Sequence, residues 1–232
     1  MSTMIDALES MTPIGRSDTL AQKVKTQLKE AVMAGRFDPG EKLTIRSIAG
    51  ALEVSLTPAR EALYNLASEG VLEMRPNGSV YVPELTVDRI EELTKIRVSL
   101  ESLASREAVR RITDAEIRAI VALNDAITDR NDKRDYAALI ALNWQFHFAL
   151  YRASQMDQLV RMIESCWVMT GSYLNLIYPK FGEMSEGIAN HQQIVRALER
   201  RDADRVAAAI TTDINLAADA LISAIEHQQK AG

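Results

Sequence analysis

A chain of 232 residues, 47% hydrophobic and 25% charged, has room for one large domain or two ordinary ones and enough apolar material for a core. Its single cysteine, Cys166, sits in the apolar run MIESCWVM; this excludes an intramolecular disulfide and a multi-cysteine zinc site and reads as a buried structural thiol. No apolar run approaches the ~20 residues that a membrane span requires.

The first sixteen residues have acidic side chains and no continuous apolar core, so they read as a flexible tail rather than a secretory signal. With the lone cysteine, this points to the cytoplasm. From Ser17 or Asp18, either a good cap, a helix runs with Leu20, Val24, Leu28 and Val32 on one face and stops at Gly35. The segment DPGEKL is turn chemistry. A short helix over TIRSIAGALE turns Ile45, Ile48, Ala49 and Leu52 inward. A third helix, from Ser55 to Glu69, is capped by Ser55 or Thr57, admits Pro58 in its first turn and ends at Gly70. Next, PNG between alternating apolar residues marks a hairpin. Three helices and a two-stranded wing over residues 17–83 make a winged helix-turn-helix.

Beyond residue 83 only one proline remains, Pro179, and helical periodicity dominates. Helices are expected near 86–111, 113–130, 135–153, 156–178, 184–200 and 202–228. Thr113 with Glu116 forms a capping box, and Asp135 and Asp202 cap their helices. Short connections imply antiparallel neighbours, so residues 84–232 read as an all-α antiparallel bundle. The fold class is mainly α.

The net charge of −5 argues against nucleic acid as a partner of the whole chain, but it hides a split. Residues 16–83 hold 9 Lys and Arg against 8 Asp and Glu, whereas residues 84–232 hold 18 against 22. A near-neutral head on an acidic body fits a segregated DNA-contacting surface. The second helix of a helix-turn-helix enters the major groove, with its N-terminal side chains reaching base edges. Arg60 is then the candidate for a base or phosphate contact, because arginine engages guanine through two hydrogen bonds. Ser55 and Thr57 can bond phosphate at the helix N-terminus. Arg46 can reach the backbone or a base edge, and Gly78 lets the wing lie close to the minor groove. For Arg60 the alternative is a solvated face and a pair with Glu53.

The stretch GEKLTIRSIAGALEVSLTPAREALYNLASEGVLEMRPNGSVYV resembles the DNA-binding domain of GntR-family transcription regulators, a likeness that covers residues 17–83. It implies DNA contact by Arg46, Ser55, Thr57, Arg60 and Gly78. The chain departs from the family at Leu56, where many members carry arginine.

In NWQFHFAL, Asn143 and His147 are four residues apart and share one helical face. This is either a core histidine with a hydrogen bond or half of a metal site. His191 lies on an apolar helix with Ile188, Ile194, Val195 and Leu198, and His227 lies in a polar terminus and receives no role. The segments IRVSLESLASREAV, NWQFHFALYRAS and HQQIVRALERRDADRVAAAI resemble the FCD domain of FadR-type GntR regulators, over residues 88–228. The resemblance implies a divalent metal held by Asn143, His147, His191 and Asp213. Asn143 stands where the family usually has aspartate and Asp213 where it usually has histidine, so the ligand charge stays at −1. Two nitrogens and two oxygens suit zinc, nickel or manganese better than calcium. The resemblance also implies that Arg97 faces the cavity and contacts a small carboxylate effector; its alternative is an intrahelical pair with Glu101. Trp144 and Tyr173 are candidates for pocket lining, with core packing as the alternative.

The expectation is a homodimeric transcription regulator of double-stranded operator DNA, a repressor released by an organic acid. The rivals are a metal-dependent enzyme fused to a DNA-binding head, for which no general-base motif such as His-Glu-x-x-His is found, and a metal sensor.

Overall fold

The computed structural model describes residues 19–33, 36–171, 173–178 and 186–231. The expected tail, its Ser17 or Asp18 cap and the stop at Gly35 lie outside these. Helix α1, Leu20–Met33, buries Ala21, Val24, Leu28, Val32 and Met33. Leu20, expected inward, is 52% exposed. Steps of three and of four both stay on a 3.6-residue stripe, and Ala21 takes the inward place.

Strand β1, Lys42–Leu43, precedes α2, Ile45–Ala51, whose N-cap Thr44 closes a capping box with Ser47. Helix α3, Leu56–Ser68, starts at Ser55, whose side chain makes no capping bond, and gives way at Glu69 to Gly70 at φ 73°. Strands β2, Glu73–Met74, and β3, Val80–Tyr81, flank the wing turn, where Gly78 has φ 76° and donates its N–H to the Arg75 carbonyl at 2.8 Å. The sheet has three antiparallel strands in the order β1-β3-β2, not the two expected. Lys42 pairs with Tyr81 and Leu43 with Val80 on one side of β3; Glu73 and Met74 take the other. Backbone bonds from Gly40 to Val82 and from Val82 to Glu41 lay the DPGEKL turn alongside β3. Val24, Leu28, Ile48, Leu63, Leu66 and Val80 belong to the core of this head.

Thr86 caps α4, Val87–Arg111, and the expected Thr113–Glu116 capping box opens α5, Asp114–Asp132. Asp135 caps α6, Tyr136–Ala153. Where one helix to residue 178 was expected, α7, Asp157–Gly171, is separated from a short α8, Leu174–Ile177. A Cβ on Gly171 would lie 2.6 Å from the Met33 Cα and 2.8 Å from its carbonyl oxygen, so backbone meets backbone there. Helices α9, Glu186–Glu199, and α10, Ala203–Ala231, complete the bundle, with α10 packed along α4 and α9. The stretch Ala203–His227 is long and apolar enough to cross a membrane, contrary to the reading of the sequence. Its Val206, Ile210, Ile214, Leu221 and Ile225 are spent on the bundle cores.

Helix α7 is also the seam between head and bundle. Val168 is buried within the head's core, and Lys29 of α1 pairs with Glu164 at 2.8 Å. Trp144 of α6 packs against both cores, and Tyr173 anchors the connecting segment by bonding the Leu85 N–H through its hydroxyl. Neither lines the cavity described below; core packing claims both. Cys166 is a buried free thiol whose pKa is raised by burial.

Candidate functional site

On the head, Arg46, Ser55, Leu56, Thr57, Arg60 and Gly78 are all exposed. Ser55, Thr57 and Arg60 occupy the N-terminal half of α3, and the Ser55 hydroxyl is not used in capping. Glu53 turns the chain at φ 52°, and no ion pair joins it to Arg60 among the described residues. The Glu53 pair is therefore not formed, and Arg60 lies on an exposed face.

In the bundle, three of the four expected ligands come together. One ligand atom each from His147, His191 and Asp213 lie within 4.8 Å of one another. His147 Nε2 is 3.2 Å from Asp213 Oδ2, and His191 Nε2 is 3.4 Å from Asp213 Oδ1. Asn143 lines a cavity of ≈ 40 Å³ together with His191, Asp213, Tyr178 and Asn131. Both imidazoles are buried. They sit on α6 and α9, while Asp213 comes from α10.

The wiring behind His147 decides which nitrogen faces inward. Tyr151, one turn further along α6, donates its hydroxyl hydrogen to Glu101 Oε2 at 2.5 Å. Its oxygen is then left to accept from His147 Nδ1–H at 3.2 Å. This favours the tautomer with the proton on Nδ1 and leaves the Nε2 lone pair beside the Asp213 carboxylate. Among the described residues Nε2 is buried with no partner in hydrogen-bond geometry, although Asp213 Oδ2 is 3.2 Å away. A lone pair opposite a carboxylate is repulsive unless a cation or a proton stands between them. Burial lowers the pKa of His147 despite Asp213, which disfavours the proton. Burial alone would raise the pKa of Asp213, but the two histidines pull it well below the usual carboxylate range. Asn190 also holds Asp213, donating to Oδ1 at 3.1 Å and to the Ala209 carbonyl at 2.9 Å. An anionic oxygen beside two imidazoles, with the orphaned nitrogen of His147 on the Asp213 side, is a donor set that fits a divalent transition ion.

His191 differs from His147. Its ring stacks on Phe146 at 4.5 Å, and its Nδ1 is buried with no partner among the described residues. The backing acceptor that orients a metal-bound imidazole is present for His147 alone.

Arg97 takes the alternative the sequence allowed. Its Nε and Nη2 reach Glu101 at 2.6 and 3.4 Å, and its guanidinium lies 4.6 Å from the Trp167 ring centroid. Burial would lower its pKa, but Glu101 outweighs this and raises it. Trp167 Nε1 donates to Glu101 at 3.0 Å, so Arg97, Tyr151 and Trp167 converge on one buried carboxylate. Arg97 thus does not line the cavity and is linked to His147 only through Glu101 and Tyr151. His227 is exposed, and its Nδ1 lies 2.6 Å from the Ser223 carbonyl oxygen.

Residues 20–82 match the model of the bacterial regulatory proteins of the gntR family, and residues 92–216, which include all four expected ligands, match the FCD domain. The chain belongs to the GntR family. Within it, the FCD branch is the one shown, and the chain is a DNA-binding transcription regulator, not an enzyme. It is 32% identical over 79% of its length, and 84% of the relative's, to the HTH-type transcriptional regulator McbR of Escherichia coli K12. The solved structure of E. coli McbR/YncC superposes with a TM-score of 0.81 at 29% identity, covering 91% of this chain and 99% of that one. A probable D-xylose utilization operon transcriptional repressor of Paenarthrobacter nicotinovorans is 27% identical over 83% of this chain and 84% of that protein.

For this GntR regulator the sequence reading missed Tyr151, Trp167 and Asn190, and named Glu101 only as a partner for Arg97. Tyr151 was within reach: the four-residue step from Asn143 to His147 continues to it on the same face. Asn190, next to His191, carried no comparable signal.

Proposed function

We propose that this GntR regulator is a homodimeric repressor whose grip on operator DNA is released by a small carboxylate bound beside a divalent metal in the bundle. The orphaned Nε2 of His147, facing Asp213 and His191, carries the reading. His147, His191 and Asp213 would hold the ion, with the Asn143 amide oxygen as a neutral fourth donor. The ion supplies the positive charge that an acidic effector needs in a site whose own carboxylate repels it. Arg97 would answer the effector only by leaving Glu101.

A second reading is favoured by the size of the cavity. A volume of ≈ 40 Å³ suits an ion with one or two waters and is too small for an organic acid of several carbons. In that reading the metal is itself the signal. Titration of operator binding with small carboxylates, in zinc-, nickel- or manganese-loaded and in chelated protein, separates the two. Release by acid only when loaded supports the first, and release by metal alone supports the second. No stoichiometric ion by elemental analysis of metal-replete protein defeats both.

The dimer reading rests on geometry at both ends. One winged helix covers about half a palindromic site. On α4, Ile96 and Leu103, seven residues apart on one face, are 38% and 44% exposed. A monomer by sedimentation at micromolar concentration would refute it.

A further inference from the structure

Among the exposed large apolar residues, Leu56 has a particular position: 48% exposed, it is the first residue of α3. Its exposed neighbours along the chain are polar: Ser55, Thr57 and, one turn on, Arg60, with Arg46 also exposed on the preceding helix. Tyr64 is also exposed, but it lies eight residues further on, about 12 Å along the helix axis. The N-terminal residues of such a helix are those that approach base edges. In the major groove only one base presents an apolar group, the C5-methyl of thymine. A leucine has no hydrogen bond to give, so at a base edge it can favour only that group.

We infer that Leu56 packs against a thymine methyl in each half-site and is a specificity-determining residue of this regulator. The inference rests on α3 being the helix that enters the major groove. Ser55 and Thr57 supply hydroxyls toward phosphate, Arg60 supplies charge, and Leu56 supplies the one apolar contact among them. Water leaves both leucine and methyl on binding, and burial of one methyl is worth about fourfold in affinity.

The test uses full-length protein and an operator selected from random duplexes. Each thymine is replaced in turn by uracil, which removes the methyl and nothing else. Wild type should lose about fourfold per half-site at one position. Leu56→Ala should bind the thymine and uracil duplexes equally at that position, and Leu56→Met should keep the preference. Identical thymine-to-uracil ratios for wild type and Leu56→Ala at every position overturn the inference. Arg60→Ala, measured on the same duplexes, keeps the two claims apart. If it weakens binding while no methyl matters, α3 still reads the groove and only the role of Leu56 falls. If neither change matters, the placement of α3 falls as well, and Leu56 with it. Circular dichroism of each variant must match wild type, since Leu56 is half outside the core.

Discussion

Replacing Glu101 with glutamine keeps the size of the side chain and removes its charge. Glu101 is fully buried, and the Arg97 side chain beside it is 12% exposed. Every group around the carboxylate is a donor: Arg97 to both oxygens, Trp167 to Oε1 and Tyr151 to Oε2. A glutamine offers one oxygen to these donors and turns an NH₂ toward the rest. The guanidinium is then buried without a counter-charge, which costs about 3–5 kcal/mol. In a chain of this size each kcal/mol moves Tm by about 2–4 °C, so the fall should be roughly 6–20 °C. Arg97→Met keeps the aliphatic stem over Trp167 and removes the charge. Combined with Glu101→Gln it should recover part of the loss, with a coupling of about 2–3 kcal/mol between the two sites. The assay is thermal unfolding by circular dichroism of the four proteins at equal concentration in chelated buffer. A Glu101→Gln protein within about 1 kcal/mol of wild type, or strict additivity of the two changes, would refute the account of Arg97 as an internal counter-ion.

Arg60→Ala should weaken binding to operator by about 1–3 kcal/mol per half-site and leave the unfolding temperature in place; unchanged affinity in an electrophoretic shift assay would remove Arg60 from the DNA face. Asn143→Asp should tighten zinc, read by competition with a chromophoric chelator, because it gives the cavity a second carboxylate; equal or weaker affinity would take Asn143 out of the ligand set. His147→Ala should lose the stoichiometric ion, read by elemental analysis, yet bind operator at the wild-type level in chelated buffer. Gly171→Ala places a methyl against the Met33 backbone and should cost about 1–3 kcal/mol by overpacking; a melting curve that overlays wild type would mean that the two backbones do not meet there.

The parts of the molecule legible in the sequence are those written in local periodicity and capping. The Thr113–Glu116 box, the Ser55–Gly70 limits of the third helix and the shared face of Asn143 and His147 each need only a few adjacent residues. What was not legible depends on contacts between distant segments. Glu101 meets Tyr151 and Trp167 across 50 and 66 residues, and no spacing rule links α4 to α6 and α7. Strand β1 has two residues, too few to show alternation, and exists because β3 lies beside it. The close approach of Gly171 to the Met33 backbone joins segments far apart in the chain, which the local sequence does not record. Asp213 shows the limit from the other side: it lies within a helical run of ordinary composition, and the resemblance, not the spacing, singled it out.

Trp167 and Val168 are consecutive residues of α7, yet their side chains serve different cores. The indole of Trp167 is tied to Glu101 behind the histidines, and Val168 is seated among the residues of the head. Successive positions on a helix point about 100° apart and move as one body. A rotation of α7 that shifts the indole by an ångström must carry the valine through a comparable arc. Neither end has slack to absorb it, since close-packed interiors transmit displacement rather than dissipate it. Helix α7 is therefore a shared wall: the seatings of Trp167 beside Glu101 and of Val168 in the head are set by one rigid element and are not independent.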